Sequence, residues 1–247
     1  MLRVRNLGVG FGAEPVLENI DLDIKAGEFA SLIGPSGSGK TSILRAVTHL
    51  LEPLTGTTEV DVPSRDVGFL FQDDALLPWR TARQNVALGL RIRGSEIDDA
   101  EEQAQKWLAR LGLERFGDRY PRQLSGGQRK RVAIAQVLAL EPKLLLMDEP
   151  FASLDAIVRT RITQELLDWV EHEHLTVLLV THDLEEAISV SDVVYVLSQG
   201  PRARIRARHE VPIARPRNVL ETRRDPRFGP LLKRLWDELS AESSLAA

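Results

Sequence analysis

The sequence contains no cysteine among its 247 residues. Disulfide bridges, thiolate metal sites and thiol nucleophiles are therefore excluded, and the composition fits a reducing compartment. Long apolar runs are also missing, since none approaches the roughly 20 residues that a membrane-spanning helix needs. Residues 1–5 lack the apolar core of a signal peptide. We therefore expect a soluble chain whose membrane contacts come through a partner.

A large excess of one charge is absent as well. The chain carries 32 Lys and Arg against 36 Asp and Glu, a net charge of −4 that gives no reason to expect nucleic-acid binding. Arginines do cluster at residues 202–208 and 215–224, and we interpret them as a solvated tail that can touch phosphates or lipid head groups. The length suits one large domain, or a core with a subdomain.

A glycine-rich segment is the most informative part of the chain. Residues 34–41 read GPSGSGKT, which fits the phosphate-loop pattern G-x-x-x-x-G-K-[ST]. An apolar run at 29–33 predicts a strand before it, and apolar spacing over 41–51 predicts a helix after it. Glycine permits the torsions that let successive N–H groups surround a phosphate, and the helix N-terminus adds positive charge. The alternative is a glycine-rich turn with a surface lysine.

Within this segment each residue type has a distinct use. Lys40 supplies a full positive charge to the β- and γ-phosphates, and the Thr41 hydroxyl is a hard oxygen ligand suited to Mg²⁺. The predicted phosphate-binding residues are Gly34, Pro35, Ser36, Gly37, Ser38, Gly39, Lys40, Thr41 and Ser42.

Strands and helices alternate along most of the chain, which implies a parallel α/β sheet with crossover helices. Strands are predicted at residues 2–9, 20–24, 29–33, 57–62, 67–71, 144–148, 176–180 and 193–198. The first block, up to residue 71, resembles a strand-rich layer laid on a core. Residues 81–140 are mostly helical in pattern, which indicates an inserted subdomain. Beyond about residue 212 a linker rich in arginine and proline leads to one amphipathic helix, at 226–240.

Two carboxylates follow the apolar run at 144–147. A strand that stays buried to its last residue delivers Asp148 to the sheet edge beside the phosphate loop, where it can hold Mg²⁺, usually through water. Glu149 then points elsewhere and can polarise the attacking water as a general base. The alternative is a strand end with solvated acids.

The segment Leu124-Ser125-Gly126-Gly127-Gln128 is the most diagnostic piece. Ser125 and Gln128 form a capping-box pattern before an apolar helix, and a well-capped helix is the simpler interpretation. A capping box does not need two glycines, however, and exposed backbone at a helix N-terminus makes a second anion site. One chain cannot easily fold both sites onto one phosphate, whereas two facing chains can.

The order of these motifs resembles the ATP-binding cassette (ABC) ATPases over about residues 1–212. The motifs are the phosphate loop, a glutamine after a strand, Leu-Ser-Gly-Gly-Gln, an apolar strand ending in Asp-Glu, Ser-Leu-Asp and a histidine. The resemblance implies a P-loop NTPase fold: a RecA-like parallel sheet, an antiparallel β layer and a helical subdomain at about 81–140, with 213–247 as a C-terminal linker and helix.

The resemblance also implies an antiparallel dimer of two copies that sandwiches two ATP molecules with Mg²⁺. Each ATP would lie between one copy's phosphate loop and residues 125–128 of the other. Lys40 and Glu149 would be catalytic, and the implied Mg²⁺ contacts are Thr41, Gln72 and Asp148.

Further roles are implied residue by residue. Gln72 would contact Mg²⁺ and sense a permease. The alternative is that Gln72 is simply a polar residue at the end of a strand. His182 would contact the γ-phosphate. Asp155, in the Ser-Leu-Asp loop at 153–155, would cross the dimer while also capping a helix. Phe11 would stack on adenine, where tyrosine is commoner, or is simply a core phenylalanine.

The segments at 71–80 and 148–155 are similar to bacterial importers of the nitrate, alkanesulfonate and taurine type. The Leu-Leu-Pro-Trp group at 76–79 would seat a permease's coupling helix, unless it packs inside the helical subdomain. Ala152 replaces a commoner glycine, and Thr-His-Leu at 48–50 replaces the usual Ala-Gly-Leu. The tail after residue 212 is too short for the barrel domain of sugar-type importers.

The function expected is therefore the ATP-hydrolysing subunit of a bacterial importer, peripheral on the inner face of the cell membrane. Its expected partners are a second copy, permease subunits and, indirectly, a solute-binding protein, with no nucleic acid. A soluble ABC ATPase acting on DNA or ribosomes, or an importer of another substrate class, is the alternative. A small-molecule kinase ranks last because it leaves residues 124–128 unexplained.

Overall fold

Two β-sheets and a set of crossover helices make up the computed structural model, which describes residues 1–11, 14–152 and 154–245. The strands found in these residues are β1 (Leu2–Phe11), β2 (Glu14–Ile24), β3 (Phe29–Ile33), β4 (Thr55–Val60), β5 (Val67–Leu70), β6 (Leu144–Asp148), β7 (Thr176–Val180), β8 (Val193–Leu197) and β9 (Ile205–Glu210). The α-helices are α1 (Lys40–Val47), α2 (Ala82–Ile92), α3 (Ile97–Arg110), α4 (Gly126–Leu138), α5 (Ala156–His172), α6 (Leu184–Val190), α7 (Val219–Thr222) and α8 (Phe228–Leu245).

The central sheet has the strand order β5-β6-β7-β3-β8-β9. Its first five strands are parallel, and β9 closes the edge antiparallel to β8. Strands β3, β6, β7 and β8 are buried along their whole length, as expected for parallel strands covered on both faces. The predicted parallel sheet is confirmed, and it brings the carboxyl ends of β3, β5, β6 and β7 to one edge.

The smaller sheet, β2-β1-β4, is antiparallel and covers one face of the core. Its buried apolar side chains pack together with Ile43 and Leu44 of α1 and with Leu32 of the central sheet. The strand-rich layer predicted from the N-terminal alternation is therefore confirmed. Strand β2 begins at Glu14, six residues before the predicted start at Ile20.

Helices α2, α3 and α4 form the helical region between β5 and β6. Helix α3 buries an apolar face that includes Ala100, Ala104 and Trp107. Gly112 follows α3 with φ +68, a left-handed conformation that glycine adopts without steric cost. Helix α4 is the last helix of this region, and the second predicted anion site lies at its N-terminus.

Helix α1 is shorter than predicted. The apolar spacing predicted a helix to Leu51, but α1 ends at Val47. The Leu50 N–H donates to the Arg45 carbonyl at 2.8 Å and the His49 N–H donates to Ala46 at 3.1 Å, the paired bonds of a Schellman motif. His49 occupies the left-handed position with φ +56, where helices usually place glycine.

Because a side chain in the left-handed region is strained, His49→Gly should stabilise the chain. We expect the free energy of unfolding to rise by about 1 kcal/mol in urea titrations. His49→Ala is the matched control, since it keeps a Cβ and should change stability little. Equal effects of the two variants would show that φ strain at residue 49 is not the cause.

The C-terminal segment is not the solvated tail that its arginines suggested. Arg217 is 4% exposed and donates to the Ile213 carbonyl at 2.8 Å and to Asp192 at 3.0 Å. Arg215 pairs with the same aspartate. Helix α8 packs its apolar face on α6 and on the sheet around Val194. The interpretation was wrong for Arg215 and Arg217 because it weighed charge alone, without the half-buried Asp192 carboxylate that lies 23 residues before Arg215 in the chain. The arginines at 202–208 are exposed, as expected.

In the described ranges, no helix is both long and apolar enough to cross a membrane.

Candidate active site

Four neighbouring strands deliver the predicted site residues to one edge of the central sheet. The phosphate loop follows β3, Asp148 ends β6, and Gln72 and His182 come two residues after β5 and β7. Ligand sites in open α/β sheets lie outside the carboxyl ends of the strands. The parallel topology therefore explains why residues far apart in sequence meet here.

The phosphate loop depends on two glycines with positive φ, Gly37 at +76 and Gly39 at +90. Gly39 is the N-cap of α1 and makes no side-chain cap, so the first amides of the helix face outward without an internal acceptor. A Cβ at Gly39 would lie 2.9 Å from the Leu17 side chain. The loop thus presents backbone donors at a helix N-terminus, the arrangement that binds phosphate.

Lys40 folds back across the loop. Its Nζ donates to the carbonyls of Gly34 and Pro35, both at 2.8 Å. Burial lowers the pKa of Lys40, although Glu149 and Asp148 act in the opposite direction. Two of the three N–H donors of this buried ammonium are bonded to carbonyls, and the third is available to donate to a bound anion.

Thr41 and Asp148 form the candidate metal site. The Thr41 hydroxyl donates to Asp148 Oδ1 at 3.0 Å. Burial raises the pKa of Asp148, and the hydrogen bond from Thr41 only partly opposes that shift. A hydroxyl, a buried carboxylate and the nearby Gln72 amide form an all-oxygen donor set, which fits Mg²⁺.

Glu149 has a left-handed backbone with φ +43, and its N–H donates to the Val180 carbonyl at 2.9 Å. Both carboxylates line the same cavity, and the Glu149 charge helps to raise the pKa of Asp148. The Oε2 of Glu149 lies 3.2 Å from His182 Nδ1. A strained backbone at a non-glycine residue marks a position held by function or by its surroundings. The structure therefore brings together the predicted general base, Glu149, and the predicted γ-phosphate contact, His182.

A cavity of about 840 Å³ unites most of the predicted site. Its lining includes Ser36, Gly37, Gly39, Lys40, Thr41, Ser42, Gln72, Asp148 and Glu149. Gly34 and Pro35 instead serve as acceptors for Lys40, and Ser38 is fully buried. Val16 and Arg45 also line the cavity and were not predicted. Arg45 follows Thr41 by four residues on the same helix, a spacing that would have placed it there.

Ser125 forms the predicted capping box. Its Oγ accepts from the Gln128 N–H at 3.3 Å, and the Gln128 side chain accepts from the Ser125 N–H at 2.9 Å. The hydroxyl proton remains available to donate. Residues 125–128 do not line the cavity just described, and Ser125 and Gly126 are exposed. In a single chain, the second anion site is therefore separate from the first.

The loop at 153–155, which is predicted to cross a dimer, is described only in part. Asp155 caps α5 as predicted, accepting from the Val158 N–H at 3.0 Å. Ser153 and the side chain of Phe11 lie outside the described residues, so the predicted adenine contact of Phe11 stays a prediction.

Comparison with known proteins decides the family. The family model described as ABC transporter matches residues 17–152. The chain belongs to the ABC transporter ATPases. The structure thus confirms the predicted P-loop NTPase fold, and as a member of this family the protein is an ATPase.

Several curated relatives of this ABC ATPase are import proteins. The sulfate/thiosulfate import ATP-binding protein of Synechocystis sp. is 42% identical over 216 residues, covering 84% of this chain and 61% of the relative. The nitrate import ATP-binding protein of the same organism is 43% identical, covering 77% of this chain and 73% of the relative. The taurine import ATP-binding protein of Escherichia coli O157:H7 is 41% identical, with 81% of each covered.

A solved relative gives the same architecture as a dimer. It is a dimeric post-hydrolysis state of an ATP-binding cassette bound to ADP and Pi, with a TM-score of 0.77 and 34% identity. The match covers 87% of this ABC ATPase and all of that chain. Dimerisation of cassettes thus agrees with the separation of the two anion sites seen here in one chain.

Proposed function

We propose that this ABC ATPase is the energising subunit of a bacterial importer that takes up a small solute of the nitrate, sulfonate or taurine kind. It would act through permease subunits, receive solute indirectly from a binding protein, and lie on the inner face of the cell membrane. One observation carries the ATPase part: Lys40, Thr41, Asp148 and Glu149 line one cavity at the strand edge. The import part is supported by the names of the relatives.

In this proposal the phosphate loop binds the triphosphate. Its outward amides and the Lys40 ammonium hold the β- and γ-phosphates, and Thr41, Asp148 and Gln72 are the residues that would hold Mg²⁺. When bound, Mg²⁺ neutralises charge on the phosphate oxygens. Because Lys40 and Asp148 are both buried with unfavourable desolvation, ligands of opposite charge relieve that cost.

Hydrolysis then needs a base. Glu149 accepts a proton from water as the water oxygen attacks the γ-phosphorus, the bond to the β-phosphate oxygen breaks, and ADP and phosphate leave. His182, 3.2 Å from Glu149, orients that carboxylate and contacts the γ-phosphate.

A second copy completes the site. Residues 125–128 of the partner would approach the γ-phosphate with helix amides and the spare Ser125 hydroxyl proton. The exposure of Ser125 and Gly126 leaves them accessible for such a contact. ATP would favour the closed dimer and product release would reopen it, which is how hydrolysis would move a permease.

The permease contact is proposed at an apolar groove next to Gln72. The groove has a volume of about 220 Å³ and includes Phe71, Leu88, Ile92 and Val137. Ile92 lines this groove and is 77% exposed, and Trp79, which is not among the lining residues, is 70% exposed. Large exposed apolar side chains of this kind mark interaction sites. Internal packing, the alternative for residues 76–79, accounts for Leu76 but not for Trp79.

Membrane sedimentation tests this proposal. The chain should pellet with membranes only when its permease is co-expressed, and Trp79→Glu should reduce the pelleted fraction by about tenfold while ATPase activity of the isolated chain is retained. The control is Trp236→Glu, because Trp236 is 64% exposed on α8. Pelleting that does not depend on the permease, or equal loss in both variants, would contradict the proposal.

A further inference from the structure

A buried lysine joins the Gln72 segment to the helix that carries the second anion site. Lys130 lies in α4, five residues after Ser125, and is 1% exposed. Its Nζ donates to the Gln72 carbonyl at 2.8 Å and to the Phe71 carbonyl at 3.4 Å. It also lies 3.2 Å from Asp74 Oδ1. Three acceptors therefore meet the three protons of one ammonium.

Asp74 extends the connection to the start of the helix. Its other oxygen, Oδ2, accepts from Arg129 Nε at 3.3 Å. Arg129 in turn donates through Nη1 to the carbonyl of Leu124, the residue before Ser125, at 2.9 Å. Two successive cations of α4 thus hold a single segment, 71–74, against the helix N-terminus.

A gain in folding stability does not explain why a charged side chain occupies position 130. Removing an ammonium from water is costly, and well-packed apolar replacements of buried ion pairs are often neutral or stabilising. A methionine has a similar length and would fill the same space. What the ammonium alone provides is a fixed attachment of the main chain at Gln72, whose side chain lines the nucleotide cavity with Thr41 and Asp148.

We propose that Lys130 is a positioning residue: it clamps the main chain of Gln72 to α4, so that the Gln72 amide is held at the Mg²⁺ side of the nucleotide and moves together with Ser125. This rests on the proposed role of Gln72. The metal-side contact and the partner-facing helix tip then form one rigid unit, and displacement of either displaces the other.

Mg²⁺-dependent nucleotide binding separates this role from a structural one. In Lys130→Met, the Mg²⁺ concentration that half-saturates binding of the non-hydrolysable analogue AMP-PNP should rise about tenfold, as expected for losing a hydrogen bond to a charged group. AMP-PNP binding in EDTA should change by less than about twofold, because the phosphate loop is untouched. Thermal stability should also fall, because Asp74 and the Gln72 carbonyl lose a buried partner, so the comparison of binding with Mg²⁺ and in EDTA is the decisive readout.

Amide hydrogen exchange of the nucleotide-free chain gives a second test of the role of Lys130. Amides in residues 71–75 should exchange about tenfold faster in Lys130→Met, since the clamp on this segment is lost. Lys130→Arg should restore most of both properties because it keeps donors for the carbonyls. Asp74→Asn, which leaves Lys130 in place, should shift the Mg²⁺ requirement in the same direction by about threefold. The matched control is Lys106→Met, at an exposed pair with Glu102 in α3.

Unchanged Mg²⁺ dependence in Lys130→Met and Asp74→Asn would overturn the proposal. An equal loss of binding with Mg²⁺ and in EDTA would also overturn it, because that pattern means general damage to the fold. If the unaltered chain bound AMP-PNP without any Mg²⁺ dependence, the proposed metal site would be wrong and this inference would fall with it.

Discussion

Glu149→Gln should bind ATP and fail to turn it over. The amide keeps the shape of the carboxylate but cannot take a proton from water, and a positioned general base contributes about 10²- to 10⁴-fold to a rate. We therefore expect phosphate release to fall at least about a hundredfold, with ATP bound and the dimer accumulating because reopening follows hydrolysis. Single-turnover phosphate release and size-exclusion chromatography with Mg²⁺-ATP measure the two effects.

Glu173→Gln is a suitable control for this prediction, since Glu173 is exposed at the far end of α5. It should hydrolyse ATP at the normal rate. Normal turnover in Glu149→Gln would remove Glu149 from its role as base, and slow turnover without a trapped dimer would separate catalysis from closure.

Glu186→Gln should stabilise the chain strongly at pH 8 and much less at pH 5. Glu186 lies in α6, four residues after His182, and is 7% exposed. Burial raises the pKa of its carboxyl from 4.5 to about 7, with a hydrogen bond to Thr181 opposing the shift and Asp183 adding to it. The folded chain therefore keeps a proton that the unfolded chain has already released between these values.

In that window the unfolding free energy falls as pH rises, and above about pH 7 the full cost of a buried carboxylate is present. A shift of this size corresponds to about 3 kcal/mol. Glutamine has the same shape and does not titrate, so it should remove the cost at pH 8. At pH 5 the folded carboxyl is still protonated and the unfolded one is only partly ionised, so the difference should shrink to about 1 kcal/mol.

Urea unfolding at pH 5 and pH 8 measures this difference. Glu185→Gln is the neighbouring control: Glu185 makes an exposed pair with Arg223 at 3.3 Å, and exposed pairs contribute little. Equal stability of Glu186→Gln and the unaltered chain at both pH values would show that Glu186 is charged at little cost in the folded state.

Local signals in the sequence predicted most of the fold. Glycine spacing located the phosphate loop, apolar runs located β3, β6 and β7, and the capping box at Ser125 and Gln128 was found with its two bonds. These features depend on residues within a few positions of one another. The parallel topology followed from their order along the chain.

Contacts between residues that are far apart in the chain could not be predicted from the sequence. The end of α1 depended on whether His49 accepts positive φ, which spacing does not reveal. Arg217 and Lys130 look like surface cations in the sequence, yet distant acceptors bury both. The pair between Glu149 and His182 also joins residues that follow different strands, β6 and β7. The role of Glu149 was expected from its place after a buried strand and that of His182 from a family resemblance, whereas their contact needed the fold.

The composite site is tested most directly by mixing two inactive variants. Lys40→Ala disables one chain's phosphate loop, and Ser125→Arg disables the other chain's helix tip. If ATP is held between two copies, each mixed dimer contains one site with both Lys40 and Ser125 intact and one site with neither. In an equal mixture about half of the dimers are mixed, so activity should return to about a quarter of the unaltered rate. No recovery at any mixing ratio, with both variants folded, would contradict the account.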